Sequence, residues 1–247
     1  PGKQVQALRI NSTRGPFQNQ KFRQAFNYLM DRESMLNAAY SGLGQPTALP
    51  WAPASPAFDA SYAEEFAYDL DKARQLLAES GLSAAEMSDW QLMVNATSAA
   101  FVTSSQILLG SLSEVGINVT LDMKEGAQAV AANQSGAYAA TFGGTGNIQK
   151  FPTRLTTNSL YRTNNNPVFG EPHPHPEYVE AIARVNNAFG ADVQPAYDNL
   201  NRVLVEAAFG IPTNTFEAAL IVAAPNVGGF IADIDNLFIG RGLGFKK

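Results

Sequence analysis

The stretch KFRQAFNYLMDRESMLNAAYSGLGQP, residues 21–46, predicts two consecutive helices followed by a sharp stop. Apolar side chains recur at helical spacing on one face of the first helix, which we expect to begin at about Gln18: Phe22, Ala25, Phe26 and Leu29. Asp31 stands where an N-cap would begin the second helix, and Gly42 stands where that helix would end. The stretch contains no reactive side chain, so it predicts a scaffold and not a catalytic site.

The composition is that of a globular chain. Its 247 residues, 45% hydrophobic and 16% charged, are enough to bury one large core or two small ones. The net charge is -5 and the 17 basic residues are scattered, which argues against nucleic acid or an anionic membrane surface as a partner. Cysteine is absent, which excludes disulfides and thiolate metal sites. No apolar run approaches the ~18 residues needed to span a bilayer.

Helices and strands alternate through the middle of the chain. The stretch WQLMVNA (90–96) predicts a buried strand, residues 99–115 a helix, INVTLDM (117–123) a strand, 125–134 a weaker helix and AYAATFGG (137–144) another strand. Further helices are predicted at about 176–189 and 193–209, and two or three strands in the tail. The order predicts an α/β fold in which at least some strands are parallel.

Three stretches together resemble one protein family. FRQAFNYLMDRESMLNAAYSGLGQP (22–46), YDLDKARQLLAESGL (68–82) and LSEVGINVTL (112–121) are similar to blocks of the solute-binding proteins of ABC importers, of the dipeptide, oligopeptide, opine and nickel type. The resemblance implies a periplasmic-binding-protein-like lobe of type II, peptide-binding class, with a mixed sheet, flanking helices and strands that belong to the other lobe. Arg23 and Arg32 resemble scaffold positions, for which we expect helix-surface or capping roles.

Members of that family are about twice as long and enclose a solute between two hinged lobes. The resemblance covers only their second half. It implies that residues 1–15 are a hinge and first-lobe strand, that 16–210 form the second ligand-binding lobe, and that 211–247 are the hinge return and a C-terminal piece of the first lobe. It also implies a monomer that delivers solute to ABC permease subunits, periplasmic or lipid-anchored outside the cytoplasmic membrane, without cofactor or catalysis. A receptor or peptide chaperone on the same fold is the alternative.

The polar stretch 145–176 is the expected place for ligand contacts, because loops of this length in compact domains are usually functional or disordered. Peptide-binding relatives carry a tryptophan here and, shortly after it, an aspartate that neutralises the peptide's α-amino group. Aligned by FGGTGN, Thr145 takes the place of that tryptophan, and Asn147 or Ile148 the place of the aspartate. A buried ammonium without a carboxylate is costly, so peptides are less favoured unless the other lobe supplies a substitute.

The same stretch offers amides and guanidinium groups instead. Amides both donate and accept hydrogen bonds, and guanidinium forks match carboxylate or phosphate. They suit a sugar conjugate, an opine or a sugar phosphodiester. The candidates for ligand contact are Thr145, Asn147, Arg154, Asn158, Arg162 and Asn165, with Thr157, Asn164 and Asn166 beside them. The run of three asparagines can equally be turn-forming. Trp51, in a proline-rich and aromatic-rich loop, can stack on a ligand or pack in the core.

Other reactive groups are few. His173 and His175, with Glu171, can ligate a metal and support a metal-assisted hydrolase, but the alternating prolines favour a stiff surface loop. The carboxylate pairs Asp69 with Asp71 and Asp233 with Asp235 are expected to serve as caps and turns. Neither a phosphate-binding loop nor a serine elbow nor a paired-histidine zinc motif occurs. We therefore predict no catalytic residue, no metal and no cofactor.

Overall fold

The computed structural model describes residues 4–145 and 151–216, together with four two-residue strands further along the chain. One mixed sheet of six strands, in the order β2-β6-β1-β5-β3-β4, lies at its centre. Its strands are β1 Gln4–Ile10, β2 Gly44–Pro46, β3 Gln91–Asn95, β4 Thr120–Lys124, β5 Ala140–Gly144 and β6 Gly210–Phe216. The two-residue strands β7 Val227–Gly228, β8 Ile231–Ala232, β9 Phe238–Ile239 and β10 Gly244–Phe245 pair with one another, β7 with β10 and β8 with β9.

Two of the five strand pairings in the sheet are parallel and three are antiparallel. Strand β3 runs parallel to both β4 and β5, whereas β1 is antiparallel to β5 and β6, and β2 is antiparallel to β6. Gln6 pairs with Gly144, and Gln4 pairs with Phe216. The start of β1 and the end of β6 therefore lie at the same edge of the sheet as the carboxyl ends of β3, β4 and β5. We call this edge the carboxyl edge. The α/β fold with a mixed sheet that the resemblance implied is confirmed.

Nine α-helices flank the sheet in the described residues. They are α1 Gln20–Leu29, α2 Arg32–Tyr40, α3 Ser61–Glu65, α4 Leu70–Glu79, α5 Ala84–Met87, α6 Ala99–Glu114, α7 Gly126–Ser135, α8 Pro176–Asn187 and α9 Val193–Ala207. Short 3-10 helices cover Gly15–Gln18, Pro152–Thr157 and Gly190–Asp192. The first helix begins at Gln20 and not at Gln18, because Asn19 caps it by accepting a hydrogen bond from the Phe22 amide.

Residues 21–46 fold as their sequence pattern predicts. Asp31 caps α2, its carboxylate accepting a 3.0 Å hydrogen bond from the Ser34 amide, and Ser41 ends the helix in a left-handed conformation just before Gly42. The apolar face of α1 enters an aromatic cluster with ring centroids 4.8–5.9 Å apart. The members of this cluster are Phe17, Phe22, Phe26 and Trp90. This helical corner is therefore part of the core.

The polar face of α1 is buried as well, against the end of α9. Arg23 donates from Nε to the Ala207 carbonyl at 2.8 Å, and Asn27 donates to the Val205 carbonyl at 3.1 Å. The last carbonyls of a helix have no partner within it, so these side chains cap α9. The expected capping role of Arg23 is therefore met, but a helix-surface role is wrong, because only 5% of the residue is exposed.

Arg32 is not a surface residue either. It is 4% exposed, and its Nε donates to the carbonyls of Thr47 and Pro212 at 3.1 Å each. Its Nη1 donates to the carbonyls of Asn27 and Phe66 at 3.0 and 2.6 Å. One guanidinium thus ties the start of α2 to four separate segments. Burial lowers its pKa to about 10.

The sheet extends beyond the predicted bounds of the second lobe. Residues 1–15 and 211–247 were expected to belong to a hinge and to another lobe. Strands β1 and β6 instead occupy the middle of the sheet, paired with each other and with β5 and β2. The lobe therefore includes residues 4–15 and 211–216. The assignment of the remaining residues to another lobe stays a prediction.

Candidate functional site

The carboxyl edge is the best candidate for a ligand site. In open α/β sheets, ligands bind outside the carboxyl ends of the strands, where loops diverge to opposite faces of the sheet. Here β3 is followed by α6, and β4 is followed by α7. After β5 the chain passes through Thr145 into residues 146–150, which lie outside the described residues, and Asn147 is among them.

Thr145 closes the end of β5. It is 2% exposed, and both its amide and its hydroxyl donate to the Val5 carbonyl, at 2.8 and 3.1 Å. The hydroxyl is therefore used inside the sheet and is not presented to a solute. The structure replaces the predicted ligand contact of Thr145 with a positioning role, because an extra pairing with β1 extends the strand beyond Gly144.

At Asn158 the polar loop comes back to the end of β5. Its side-chain nitrogen lies 3.5 Å from the Thr145 carbonyl, and its side-chain oxygen accepts a hydrogen bond from the Leu160 amide at 3.1 Å. Arg154 is exposed in the 3-10 helix that leads to Asn158, and its carbonyl accepts the Thr157 hydroxyl at 2.8 Å. Asn158 is thus at the carboxyl edge, and Arg154 is one turn of chain away from it.

The asparagine run lies elsewhere. Asn166 is buried, and its side-chain oxygen accepts from the amides of Val168 and Phe169 at 2.8 and 2.9 Å, so it forms a turn. The Val168 carbonyl lies 3.3 Å from the side-chain nitrogen of Asn11, which follows the carboxyl end of β1. This part of the loop is therefore at the end of the sheet opposite to the carboxyl edge.

Two of the predicted ligand-contact residues lie beside the Asn166 turn. Asn165 is exposed and has a left-handed backbone with φ 49°, as the turn-forming interpretation predicts. Arg162 is exposed, and its carbonyl accepts a 2.7 Å hydrogen bond from Asn166. The structure thus brings Asn158 and Thr145 together and separates them from Asn165, so the predicted residues do not form one cluster.

Trp51 belongs to the core. The residue is fully buried, and its indole Nε1 donates a 2.6 Å hydrogen bond to the side-chain oxygen of Asn201 in α9. Asn201 in turn donates to the Ala57 carbonyl at 2.9 Å. No face of the indole is left for a ligand, so stacking on a solute is wrong and the packing interpretation is confirmed.

The two histidines are buried, although Glu171, Pro172 and Pro174 of the same loop are exposed, as the surface-loop prediction expects. His175 is 4% exposed, with Nε2 2.8 Å from the Ser12 hydroxyl and its ring stacked on Phe209 at 4.9 Å. His173 accepts a hydrogen bond from the His175 amide at 3.1 Å. Burial, the Arg23 charge and His173 lower the pKa of His175 to about 3, and burial lowers that of His173. Among the described residues, no three side chains of His, Cys, Asp or Glu are grouped to hold a metal.

The remaining carboxylate predictions divide. Asp69 caps α4, its carboxylate accepting hydrogen bonds from the amides of Asp71 and Lys72 at 3.0 and 2.9 Å. That confirms the capping interpretation for Asp69, whereas the Asp71 carboxylate accepts a 2.8 Å hydrogen bond from Arg74. Asp233 and Asp235 lie outside the described residues.

A buried polar group that the sequence patterns did not predict lies behind the carboxyl edge. Gln6 is fully buried and donates to the hydroxyls of Ser104 and Thr213 at 2.9 and 3.2 Å, while the Tyr40 hydroxyl donates to its oxygen at 2.5 Å. The Tyr40 ring stacks on Phe216 at 4.6 Å. A glutamine between Val5 and Ala7, in a strand of mostly buried residues, was the available signal. These bonds join α2 and α6 to the two central strands.

Arg9 was also missed. Its guanidinium lies across β5, with Nη2 donating to the Gly144 carbonyl and Nη1 lying 3.5 Å from the side-chain oxygen of Asn133 in α7. The residue is half-buried and its side chain reaches the carboxyl edge. A basic residue in the strand segment VQALRI, opposite a strand that ends in two glycines, was the signal.

Comparison with known proteins places this fold among binding proteins. Residues 1–167 match the family described as bacterial extracellular solute-binding proteins, family 5 Middle. Heme-binding protein A of Haemophilus influenzae is 29% identical over 118 residues, which is 47% of this chain and 21% of that protein. Glutathione-binding protein GsiB of Salmonella typhi is 39% identical over 74 residues, which is 30% of this chain and 14% of that protein.

The fold is also that of solved structures. The oligopeptide-binding protein AppA from Bacillus subtilis, in complex with a nonapeptide, aligns with a TM-score of 0.76 at 17% sequence identity. The alignment covers 100% of this chain and 51% of AppA, so the chain spans about half the length of that protein. In the part of the chain that the structure describes, we find no helix long and apolar enough to cross a membrane.

Proposed function

Because this chain belongs to family 5 of the bacterial extracellular solute-binding proteins, we propose that it forms one lobe of the substrate-binding component of an ABC importer. One observation carries the proposal. Gln4 and Phe216 are paired neighbours, so the chain enters and leaves the lobe side by side at the carboxyl edge, beside the end of β5. Two adjacent connections at one edge suit a hinge about which the lobe closes on a second lobe.

The lobe supplies one rigid face of the cleft. A closing lobe needs a well-packed core behind its binding edge, because a soft edge would lose its geometry on closure. The central strands meet this need through the buried bonds of Gln6 to Ser104, Thr213 and Tyr40. Capture by closure requires no catalytic group, and we assign none.

We propose a small polar solute that carries an acidic group, such as a sugar conjugate, an opine or a peptide. Asn158 and Arg154 supply an amide and a guanidinium at or near the carboxyl edge, and such groups match hydroxyls and carboxylates. Arg162 and Asn165 are placed nearer the opposite end and serve less directly. Relatives named for heme and glutathione binding, and one solved with a nonapeptide, support a solute as the ligand of this lobe.

The same proposal fixes the setting. The protein acts outside the cytoplasmic membrane, in a periplasm or tethered by lipid, as a monomer that passes solute to permease subunits. Family membership and the fold support this setting.

A thermal-shift screen of the full-length protein tests the function. The panels are dipeptides, oligopeptides, opines, oligosaccharides and sugar phosphates. A solute at 100 times its dissociation constant stabilises the folded state by about 2.7 kcal/mol. We expect solutes of one panel to raise the unfolding midpoint of the wild type. The rise should be smaller in Asn158→Ala and the same in Arg14→Ala, because the Arg14 side chain is exposed beyond the opposite end of β1. A protein that none of the panels stabilises would overturn the proposal.

A further inference from the structure

The Arg9 side chain lies over the end of β5, where the Gly144 carbonyl accepts its hydrogen bond and Gly143 leaves space for it. It projects from β1 onto β5, where its partner in register is Thr141 and its guanidinium reaches the Gly144 carbonyl. A Cβ on Gly143 would meet Nε of Arg9 at 2.7 Å and Cζ at 3.0 Å. The Arg9 side chain therefore fills the space that a side chain at Gly143 would need, and a larger residue there would force it to move.

The partners of this guanidinium are neutral. A guanidinium carries five N–H donors and a full positive charge. Two of these donors are directed to the Gly144 carbonyl and the Asn133 amide oxygen. Among the ion pairs of the described residues, none involves Arg9.

Two tyrosines that feel the Arg9 charge do not balance it. The hydroxyls of Tyr138 and Tyr161 are buried, and burial raises the pKa of Tyr138 to about 12 and that of Tyr161 further, against the opposing effect of the Arg9 charge. Both are neutral phenols at physiological pH. Among the described residues, this half-buried cation donates only to neutral groups, and such a cation is stabilised when an anion reaches it.

We propose that Arg9 is the anion-recognition residue of the carboxyl edge, and that its remaining N–H groups bind a carboxylate or phosphate group of the solute. The inference rests on the proposed function and deepens it by naming the side chain that binds the acidic group of the solute. If Arg9 binds the anion, Gly143 is a positioning residue, because the guanidinium needs the space above this glycine. A filler role for the arginine would require neither the charge nor the glycine.

Inorganic phosphate and citrate serve as probes, titrated into the full-length protein at constant ionic strength and followed by calorimetry. We compare Arg9→Gln with Arg14→Gln, which removes an exposed charge at the opposite end of the sheet. We also compare Gly143→Ala, which crowds the guanidinium, with Gly110→Ala, where the added Cβ meets nothing within 4 Å. The unfolding midpoint of each variant without anion checks that it folds.

We expect saturable binding to the wild type that is about tenfold or more weaker in Arg9→Gln and in Gly143→Ala, with both controls within about twofold. Equal binding to Arg9→Gln and wild type, or no saturable response in the wild type, overturns the inference. A solute from the screen that binds Arg9→Gln as tightly as wild type also overturns it while leaving the importer function intact. If anions bind through Arg9 but no solute from the screen binds, the inference about Arg9 holds and the importer function is overturned.

Discussion

The Nε–H of Arg23 in α1 donates a 2.8 Å hydrogen bond to the carbonyl of Ala207, the last residue of α9. Its Nη1 also donates to the Phe17 carbonyl at 2.7 Å. Arg23→Met leaves these buried carbonyls unpaired, so we expect a loss of about 2–3 kcal/mol in the free energy of unfolding, measured by urea titration. Lys21→Met is the control, because Lys21 makes only an exposed ion pair with Glu79. Equal effects of the two changes would contradict the capping role.

Trp51 and Asn201 form a second long-range contact. Trp51→Phe keeps an aromatic ring but removes the donor to the Asn201 oxygen, which is 2.6 Å away. We expect a loss of about 1–3 kcal/mol in the free energy of unfolding, because a buried acceptor is left without its partner. Solute affinity should not change. A variant with normal stability and weakened solute binding would restore the stacking role that the structure rejects.

Gly136 and Gly81 offer a matched pair of glycines, with backbone φ of +69° and +70°. An alanine at either position strains the left-handed backbone by about 1–2 kcal/mol. At Gly136 the added Cβ would also meet the Val168 Cα at 2.6 Å, whereas at Gly81 nothing lies within 4 Å. Chemical denaturation should therefore show Gly136→Ala to be less stable than Gly81→Ala by roughly 1–3 kcal/mol. Similar losses at both sites would mean that the 145–176 loop is not packed as described.

His175 makes stability depend on pH. The pKa of its imidazole is lowered to about 3 in the folded state, where it faces Ser12, Glu177, Arg23 and His173. Since its pKa in the unfolded chain is about 6.5, the unfolded state takes up the proton first as the pH falls. Stability from this residue is therefore present above pH 6.5 and is lost as pH falls towards 3.

Between pH 7.5 and 5 this loss amounts to about 2 kcal/mol in the free energy of unfolding. We expect His175→Gln to show a shallower dependence, measured by denaturant titration at several pH values. A wild type and variant whose stabilities fall in parallel across this range would show that His175 takes up its proton equally in both states.

Local patterns predicted much of the fold. The caps at Asp31 and Asp69 and the alternation of helices and strands from residue 90 to 144 follow from short-range geometry, and the structure has them. The pairing of Gln4 with Phe216 does not follow, because partners 212 positions apart leave no local pattern. That pairing is why residues predicted to lie outside the lobe form its central strands.

Burial of polar residues was the hardest feature to predict. An arginine such as Arg23 looks like a surface residue until the end of another helix supplies carbonyls for it. The histidines look exposed between prolines until Ser12 and Phe209 cover them. Of the predicted ligand contacts, Asn158 is at the carboxyl edge, while Trp51 is in the core, because neither residue type nor spacing tells which side of a loop faces inward.

The proposed function requires a solute to be held at the carboxyl edge of this lobe. The most direct test measures, by isothermal titration of the full-length protein, the affinity of the solute found in the screen for wild type, Asn158→Ala and Arg14→Ala. We predict that Asn158→Ala binds about tenfold more weakly, as loss of a buried hydrogen bond implies, and that Arg14→Ala binds like the wild type. If Arg14→Ala binds the solute more weakly and Asn158→Ala binds it like the wild type, the solute lies at the opposite end of the sheet and this placement is contradicted.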